Sequence, residues 1–351
     1  MSTAIVSDLH LGLASGRDLV RRAPVMDVLA AALAEADEVV LLGDVLELRE
    51  RPLRDVLDDA LPALLSIGDA VRGKRVTIVP GNHDHHLARP LIDGAGQLGL
   101  EAFDDPPPSG PIADVAAALG GEVRIAYPGM WVRPDVYATH GHYLDVHNTV
   151  PSFERLAIGA TQRIAGRMPA DGTLTPADYE AAVSPVYALT YALAQSARRG
   201  PAIGGSGASV RLWRMANGNS SGRLPRLLLN GLAIPAAVGA MNRAGLGPLK
   251  PELSAIELRQ AALRGMQEVV RRLGVDARHV IFGHTHRSGP HPGDEGWGPL
   301  INTGSWIHEP AFLGSEPKQS PYWPGHVVIV PDEGDGEPEL RSLLGELPSG
   351  T

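Results

Sequence analysis

The chain has 351 residues, 44% of them hydrophobic, with 31 Lys+Arg against 40 Asp+Glu and no cysteine. That length allows one elaborated domain or two ordinary ones, and the lack of cysteine excludes a disulfide scaffold, a thiol nucleophile, a zinc ribbon and an iron–sulfur protein. A net charge of −9 argues against a general nucleic-acid coat, and the 41 Gly and 30 Pro are too dispersed for a collagen-like or low-complexity chain.

The first residues, Met-Ser-Thr-Ala-Ile-Val-Ser-Asp-Leu-His, have neither a basic n-region nor a long apolar run. They read as a strand entering a motif, not as a signal peptide. Short β-branched or aliphatic runs predict strands over 3–6, 39–42, 76–79, 136–139, 280–282, 300–302 and 327–330. Apolar Val25, Leu29, Ala32 and Leu33 on one face predict a helix over 18–36. Strand–helix alternation of this kind predicts an α/β layered fold.

Between 151 and 278 the character changes, with 16 Lys+Arg against 8 Asp+Glu. Pro176 and Asp178 open a predicted helix that runs past Tyr191 to Ala197, Gly204, Gly205 and Gly207 mark a loop, and apolar spacing predicts another helix over 252–273. From 181 to 251 there is no acid at all, while Arg198, Arg199, Arg211, Arg214, Arg223, Arg226, Arg243 and Lys250 flank apolar stretches. Basic residues beside apolar ones are suited to an anionic membrane surface, or equally to a solvated helical lid. The nearly apolar stretch 227–241 contains Asn230 and Pro235 and is too short to span a bilayer. The expected compartment is the cytoplasm, with peripheral contact at the inner membrane face. Residues 331–351 are acidic and rich in Gly and Pro, and read as a loose tail with room for one short element.

The residues directly after each strand carry the chemistry. The runs are succeeded in turn by Asp8-Leu9-His10, by Gly43-Asp44 with Glu47 three residues on, by Gly81-Asn82-His83-Asp84, by His140-Gly141-His142 and by Gly283-His284-Thr285-His286. Ligands of α/β sheets bind outside the carboxyl ends of the strands, so five such ends bring Asp, Asn and His into one crevice. Imidazole mixed with carboxylate suits borderline divalent cations (Mn, Fe, Co, Ni or Zn) better than Ca or Mg. One ion needs three or four protein ligands; seven or more imply two ions that share a carboxylate. Two ions about 3.5–4 Å apart clamp a phosphate and hold a bridging hydroxide for in-line attack. Each motif alone has an ordinary structural reading, as a turn or a satisfied core histidine, but five in order do not.

The ordered set resembles the calcineurin-like metallophosphoesterases over 2–148 and 279–330, and its Asp-Leu-His-Leu and Gly-Asp-x-x-Glu elements, with a helical insertion after the fourth motif, are most similar to the UDP-2,3-diacylglucosamine hydrolase-like branch. The resemblance implies a four-layer α/β/β/α sandwich around a dinuclear metal centre. By motif, Asp8, His10, Asp44 and His286 would hold the first metal, and Asp44 would bridge to a second held by Asn82, His140 and His284. His83 would protonate the leaving oxygen or stabilise the transition state, and Glu47 would orient it. Thr303-Gly304-Ser305-Trp306 after the last motif also fits the resemblance.

The expected organisation is a catalytic core formed by 1–150 and 279–330, a basic and mainly helical insertion over 151–278, and the tail. Asp84 reads as support for a ligand or as a helix cap. His85 and His86 read as rim residues, Asp145 and His147 as pocket walls, and His142 as a group beside the ligands or facing substrate. Arg287 reads as a bidentate phosphate contact or a surface ion pair. His279, His291, His308 and His326 stand outside any motif. The expected activity is hydrolysis of a phosphodiester, pyrophosphate or phosphomonoester, on a phosphorylated small-molecule, nucleotide or lipid-linked substrate, with two divalent ions, Mn foremost. The alternatives are a scaffold that keeps the fold without hydrolysis, which ought to lack ligands, and a nuclease. Nucleic acid is a poor fit, because only Tyr187, Tyr191 and Trp213 accompany the basic residues of 181–251.

Overall fold

The computed structural model describes all residues except 95–97, 197–233, 252–254, 291–296, 333–335 and 348–351. The chain divides into two compact units. The first comprises Met1–Gly141, Tyr191–Pro201 and Asp276–Thr351, and the second His142–Thr190 and Ala202–Val275.

In the first unit, eleven strands form among the described residues: β1 (Ser2–Val6), β2 (Glu38–Leu41), β3 (Arg75–Ile78), β4 (Ala102–Asp104), β5 (Glu122–Tyr127), β6 (Gly129–Arg133), β7 (Val136–Thr139), β8 (His279–Phe282), β9 (Leu300–Asn302), β10 (His326–Pro331) and β11 (Glu339–Ser342). They build a seven-stranded sheet, ordered β11-β10-β1-β2-β3-β5-β4, and a four-stranded sheet, ordered β6-β7-β8-β9. β1, β2 and β3 run parallel, with Ala4 beside Val39 and Val39 beside Val76. β7, β8 and β9 run parallel in the other sheet. Two parallel blocks therefore present their carboxyl ends, and all five motifs come directly after them.

Alternation along the strands sorts the core. Ala4, Val6, Val39, Leu41, Val76 and Ile78 pack with Val25, Leu29, Leu33, Val56, Ala60, Leu64, Val115 and Leu119 of the helices α1 (Ala23–Glu35), α2 (Leu53–Ala70) and α4 (Pro111–Leu119). On the opposite face, Ile5, Val40, Leu42 and Val79 pack with Val136, Ala138, Ile281 and Ile301 of the second sheet. The layers thus run helix, sheet, sheet. Strands buried on both faces need apolar residues at every position, which is why they read as continuous aliphatic runs.

Several elements differ from the expectation. The helix over 18–36 is split into a 3₁₀ turn, Leu19–Arg21, and α1, because Pro24 has no N–H and belongs in a first turn. Asp18 caps neither; its carboxylate accepts Gly12 N at 2.9 Å. Sequence patterning does not reveal α2, which the interior Pro62 punctuates. Nor does it reveal β5, since Arg124 interrupts the apolar residues of that strand. The segment beyond 331 is not simply a tail: β11 pairs antiparallel with β10, Val328 opposite Leu340.

The second unit is helical among its described residues, with α5 (Phe153–Ala165), most of α6 (Pro176–Ser196), α7 (Ile234–Arg243) and α8 (Ala255–Leu273); a short α3 (Arg89–Gly94) and α9 (Pro310–Leu313) belong to the first. Ser152 caps α5 by accepting Arg155 N at 3.1 Å. Arg272 binds the carbonyls of Pro169 and Gly172 at 2.7 and 3.0 Å, and fastens the loop before α6 to α8. Tyr143 and Tyr179 stack 4.7 Å apart, and Tyr143 donates to Glu180 at 2.6 Å. No described helix is long and apolar enough to cross a membrane. Of the eight basic residues in the acid-free stretch, all but Arg243 and Lys250 lie outside the described residues, as does the Gly204–Gly207 loop.

His147 gives this unit a pH dependence. Its Nε2 accepts from the Tyr179 hydroxyl at 2.7 Å, and burial, together with Arg272, Arg155 and Arg271, pushes its pKa down to about 4 against the pull of Glu268. The unfolded chain binds that proton near pH 6.5. The contribution is therefore complete above pH 6.5 and declines as pH falls toward 4, by up to about 3 kcal/mol. Urea unfolding across pH 7 to 4 should show this loss of stability, and His147→Gln should flatten it.

Candidate metal centre

The turns after β1, β2 and β8 share an unusual backbone. Asp8, His10, Asp44, His284 and His286 have φ of 54°, 44°, 51°, 69° and 56°, and they are the only non-glycine residues with positive φ among those described. Left-handed backbone costs an L-residue about 1–2 kcal/mol, and such positions cluster where function over-determines them. Here each one aims a carboxylate or an imidazole inward. Main-chain bonds hold the turns together: Asp8 N to Gly43 O (3.0 Å), His10 N to Asp44 O (2.8 Å), Gly283 N to His140 O (3.0 Å) and Trp306 N to Asp8 O (3.0 Å). Gly81 has to be glycine, because a Cβ would strike the Asp44 carboxylate and the His140 ring.

The inward side chains form two sets. His10 Nε2 and His286 Nε2 are 3.1 Å apart, and His286 Nε2 is 3.3 Å from Asp8 Oδ1. His140 Nε2 is 3.2 Å from both Asp44 Oδ2 and Asn82 Oδ1, and Asn82 Oδ1 is 2.9 Å from His284 Nδ1. Asp44 Oδ2 is also 3.6 Å from His10 Nε2, so this carboxylate belongs to both sets. Ligands bound about 2.1 Å from one ion stand about 3.0 Å apart at right angles and about 3.4 Å apart in a tetrahedron. The separations match. Facing one another as acceptors, these atoms repel unless a cation or protons lie between them, so the residues fit a pair of divalent ions.

Second contacts fix the orientation of several of these ligands. His140 Nδ1 donates to Leu42 O at 2.9 Å, leaving Nε2 to face the site. His10 Nδ1 donates to Glu47 Oε2 at 2.9 Å, and His83 Nδ1 to Glu47 Oε1 at 2.8 Å. One buried carboxylate thus orients both a candidate ligand and the histidine beside it. His83 also lies within ligand reach of His10 and Asp44, and its backbone N–H donates to Asp44 Oδ1 at 2.8 Å. Asn82 has two uses. With its oxygen inward it faces His140, His284 and Asp44, whereas turned over, its NH₂ would donate to those three and its oxygen would accept from Arg49 Nη1 at 2.8 Å.

The charges are strongly biased. Burial alone would raise Asp8, Asp44 and Glu47, but the imidazoles around them hold all three well below the carboxylate range. Burial alone would lower His140, yet Asp44, Asp8 and the Leu42 carbonyl lift it to about 9. Asp84 is the exception: burial and the neighbouring Asp44 raise it.

Asp84 is a support and not a cap of a long helix. It accepts from Asp44, Val45, Leu46 and Gly81 N–H at 3.2, 2.8, 3.3 and 2.7 Å, tying the second motif to the third. Ser7 and Thr303, neither of which sequence patterning marks as supporting a ligand, bond to each other, and Ser7 to Asp8, behind the first ligand. Arg287 is buried, and its guanidinium lies 4.8 Å from the Trp297 ring centre, a cation–π placement. His142 is buried in the helical unit beside Tyr143 and Tyr187, and Asp145 and His147 also belong there. His85 is buried edge-on to Tyr127, while exposed His86 stacks on Tyr191 at 4.1 Å. His279, His308 and His326 take no part in the ligand sets, and His291 lies outside the described residues.

Residues 1–163 match the family model described as Calcineurin-like phosphoesterase. That span is similar to the family and contains four of the five motifs; the fifth, 283–286, lies beyond it. No curated protein matches the chain. Among solved structures, a dimetal phosphatase from Danio rerio is similar at 15% identity over 98% of this chain and 99% of that one, with a TM-score of 0.34. At that score the likeness is loose. The family match and the ligand sets support a metal-dependent phosphoester hydrolase.

Asp84→Ala should strand four buried N–H groups and destabilise the chain by about 2–4 kcal/mol, measured by urea unfolding. It should also lower the metal retained after desalting, since the Asp44 turn loses its tether. A loss below about 1 kcal/mol would show that the amides find other partners.

Proposed function

We propose that the chain hydrolyses phosphate esters or pyrophosphate linkages with two divalent ions, Mn foremost, and that the substrate is a phosphorylated small molecule or a lipid-linked one. The observation that carries this reading is the sharing of Asp44 between two sets of ligand atoms. Asp8, His10, Asp44 and His286 would hold one ion; Asp44, Asn82, His140 and His284 the other. When bound, such a pair supplies Lewis acidity to the phosphoryl oxygens and generates the nucleophile from water. The mixed imidazole–carboxylate set favours Mn, Fe, Co, Ni or Zn over Ca.

The protein's own groups do the rest. His83 keeps its Nδ1 proton on Glu47, so the proton it can hand to the leaving oxygen sits on Nε2. Glu47 stays ionised because His83 and His10 both face it, and it thereby locks the acid relative to a ligand of the first ion. Asp44, which belongs to both ligand sets, would help to hold both ions and would offset part of their charge. The resemblance of the chain's first two motifs to the UDP-2,3-diacylglucosamine hydrolase-like branch supports the lipid-linked form of the substrate, while His140-Gly141-His142, where that branch carries His-Gly-Asp, and the long insertion weigh against it.

Purified with Mn, the protein should cleave p-nitrophenyl phosphate or bis-p-nitrophenyl phosphate, and the preferred ester will separate monoesterase from diesterase. Inertness toward both, and toward UDP-linked lipids, with two ions bound would overturn the hydrolase reading. Asp44→Asn should nearly abolish turnover and two-ion stoichiometry while the fold survives, as read by metal analysis and circular dichroism. His83→Ala should keep both ions yet slow phenyl phosphate about 10²–10⁴-fold, and p-nitrophenyl phosphate by less. Equal losses on the two esters would remove His83 from the role of acid.

A further inference from the structure

The end of α5 carries a feature that the hydrolase reading does not use. Ile164 is 88% exposed, the most exposed large apolar side chain among the described residues. Arg163 and Arg167, both exposed, bracket it. Their guanidinium groups converge on the loop after α7. Arg167 Nη2 donates to Gly245 O at 3.4 Å, and a Cβ on Gly245 would sit 2.8 Å from Arg167 Nη2 and 3.7 Å from Arg163 Nη1. Exposed Arg243 closes α7 two residues earlier.

Four other basic side chains described in this unit are matched with acids. Lys250 and Arg264 pair with Glu257, and Arg271 and Arg272 with Glu268. Among the described residues, no ion pair includes Arg163, Arg167 or Arg243. Unpaired like charges brought together repel, and the carboxyl-terminal ends of two helices compensate them only in part. An exposed branched apolar side chain at the centre of such a group is unfavourable in water and favourable at a lipid interface.

We propose that this tip, formed by Arg163, Ile164, Arg167 and Arg243, docks on an anionic phospholipid surface. Ile164 enters the interface, and the three guanidinium groups meet the lipid phosphates. The contact is peripheral. It lies on described residues that sequence patterning does not single out, apart from Arg243.

Co-sedimentation of the full chain with vesicles tests it. Equimolar phosphatidylglycerol and phosphatidylcholine should bind the protein at low salt and release it as salt rises; pure phosphatidylcholine should not bind it. Each basic residue near an anionic leaflet contributes about 1 kcal/mol, or about five-fold in partitioning. The pair Arg163→Glu and Arg167→Glu should therefore cost at least about 25-fold, and the uncharged Ile164→Ser should weaken binding without changing its salt dependence. Inorganic phosphate at matched ionic strength should compete no better than chloride. Hydrolysis of a soluble aryl phosphate by these variants serves as the folding control and should be unchanged. No sedimentation at low salt, or sedimentation indifferent to the double reversal, would overturn the proposal, as would displacement by inorganic phosphate alone.

Discussion

Seven ligand groups crowded within a few ångströms would repel one another without cations or protons between them, and most of the first unit makes sense as the apparatus that holds them there. Two sheets stacked face to face bring five strand ends to one place. Left-handed turns then point the side chains inward at a conformational cost that ordinary loops avoid. Asp84 ties two of those turns, and the Ser7–Thr303 pair backs a third. Cations at the centre would relieve that repulsion, and the strain in the turns and the charge of the ions would then be two halves of one design. A ligand that binds only the folded form adds stability by mass action, and the loaded and stripped proteins will differ in stability accordingly.

Much of this is legible in the chain itself. The strands before the motifs are aliphatic runs because both their faces are buried, and a polar group directly after such a run marks a strand's carboxyl end. The ligand positions come from that. The features that stay hidden depend on distances that no local pattern encodes. Sequence pairs Glu47 with His83, but its second oxygen on His10 becomes visible only once β1 and β2 lie side by side. Four amide donors on Asp84 come from two separate turns. Arg287 lies over the indole of Trp297, ten residues on in the chain, a contact that no local pattern encodes. β5 and α2 are hidden by Arg124 and Pro62, one polar and one helix-breaking residue inside otherwise regular elements.

The helical unit is organised by another principle. Its interior mixes aromatic rings with ionisable groups: Tyr143 on Tyr179, Tyr179 on His147, and Tyr143 on Glu180. Such contacts confer direction that aliphatic packing lacks, since each hydroxyl needs its acceptor in one place. Charge counting marks this region as basic, and among its described residues Glu257 and Glu268 pair with four of the basic side chains. The surface charge that matters is the remainder left unpaired.

The strand β11 has a consequence for the whole seven-stranded sheet. β10 is among the most apolar strands in the molecule, with Val327, Val328 and Val330 fully buried. Its outer N–H and C=O groups are met by β11, whose own exposed residues Glu339 and Arg341 carry opposite charges. A chain clipped after residue 331 would bare a hydrogen-bonding edge of valines, the kind of template on which a second molecule adds its own strand. The strand β11 therefore covers that edge. It closes the sheet against other copies of itself with a border that is charged, short and awkward to extend.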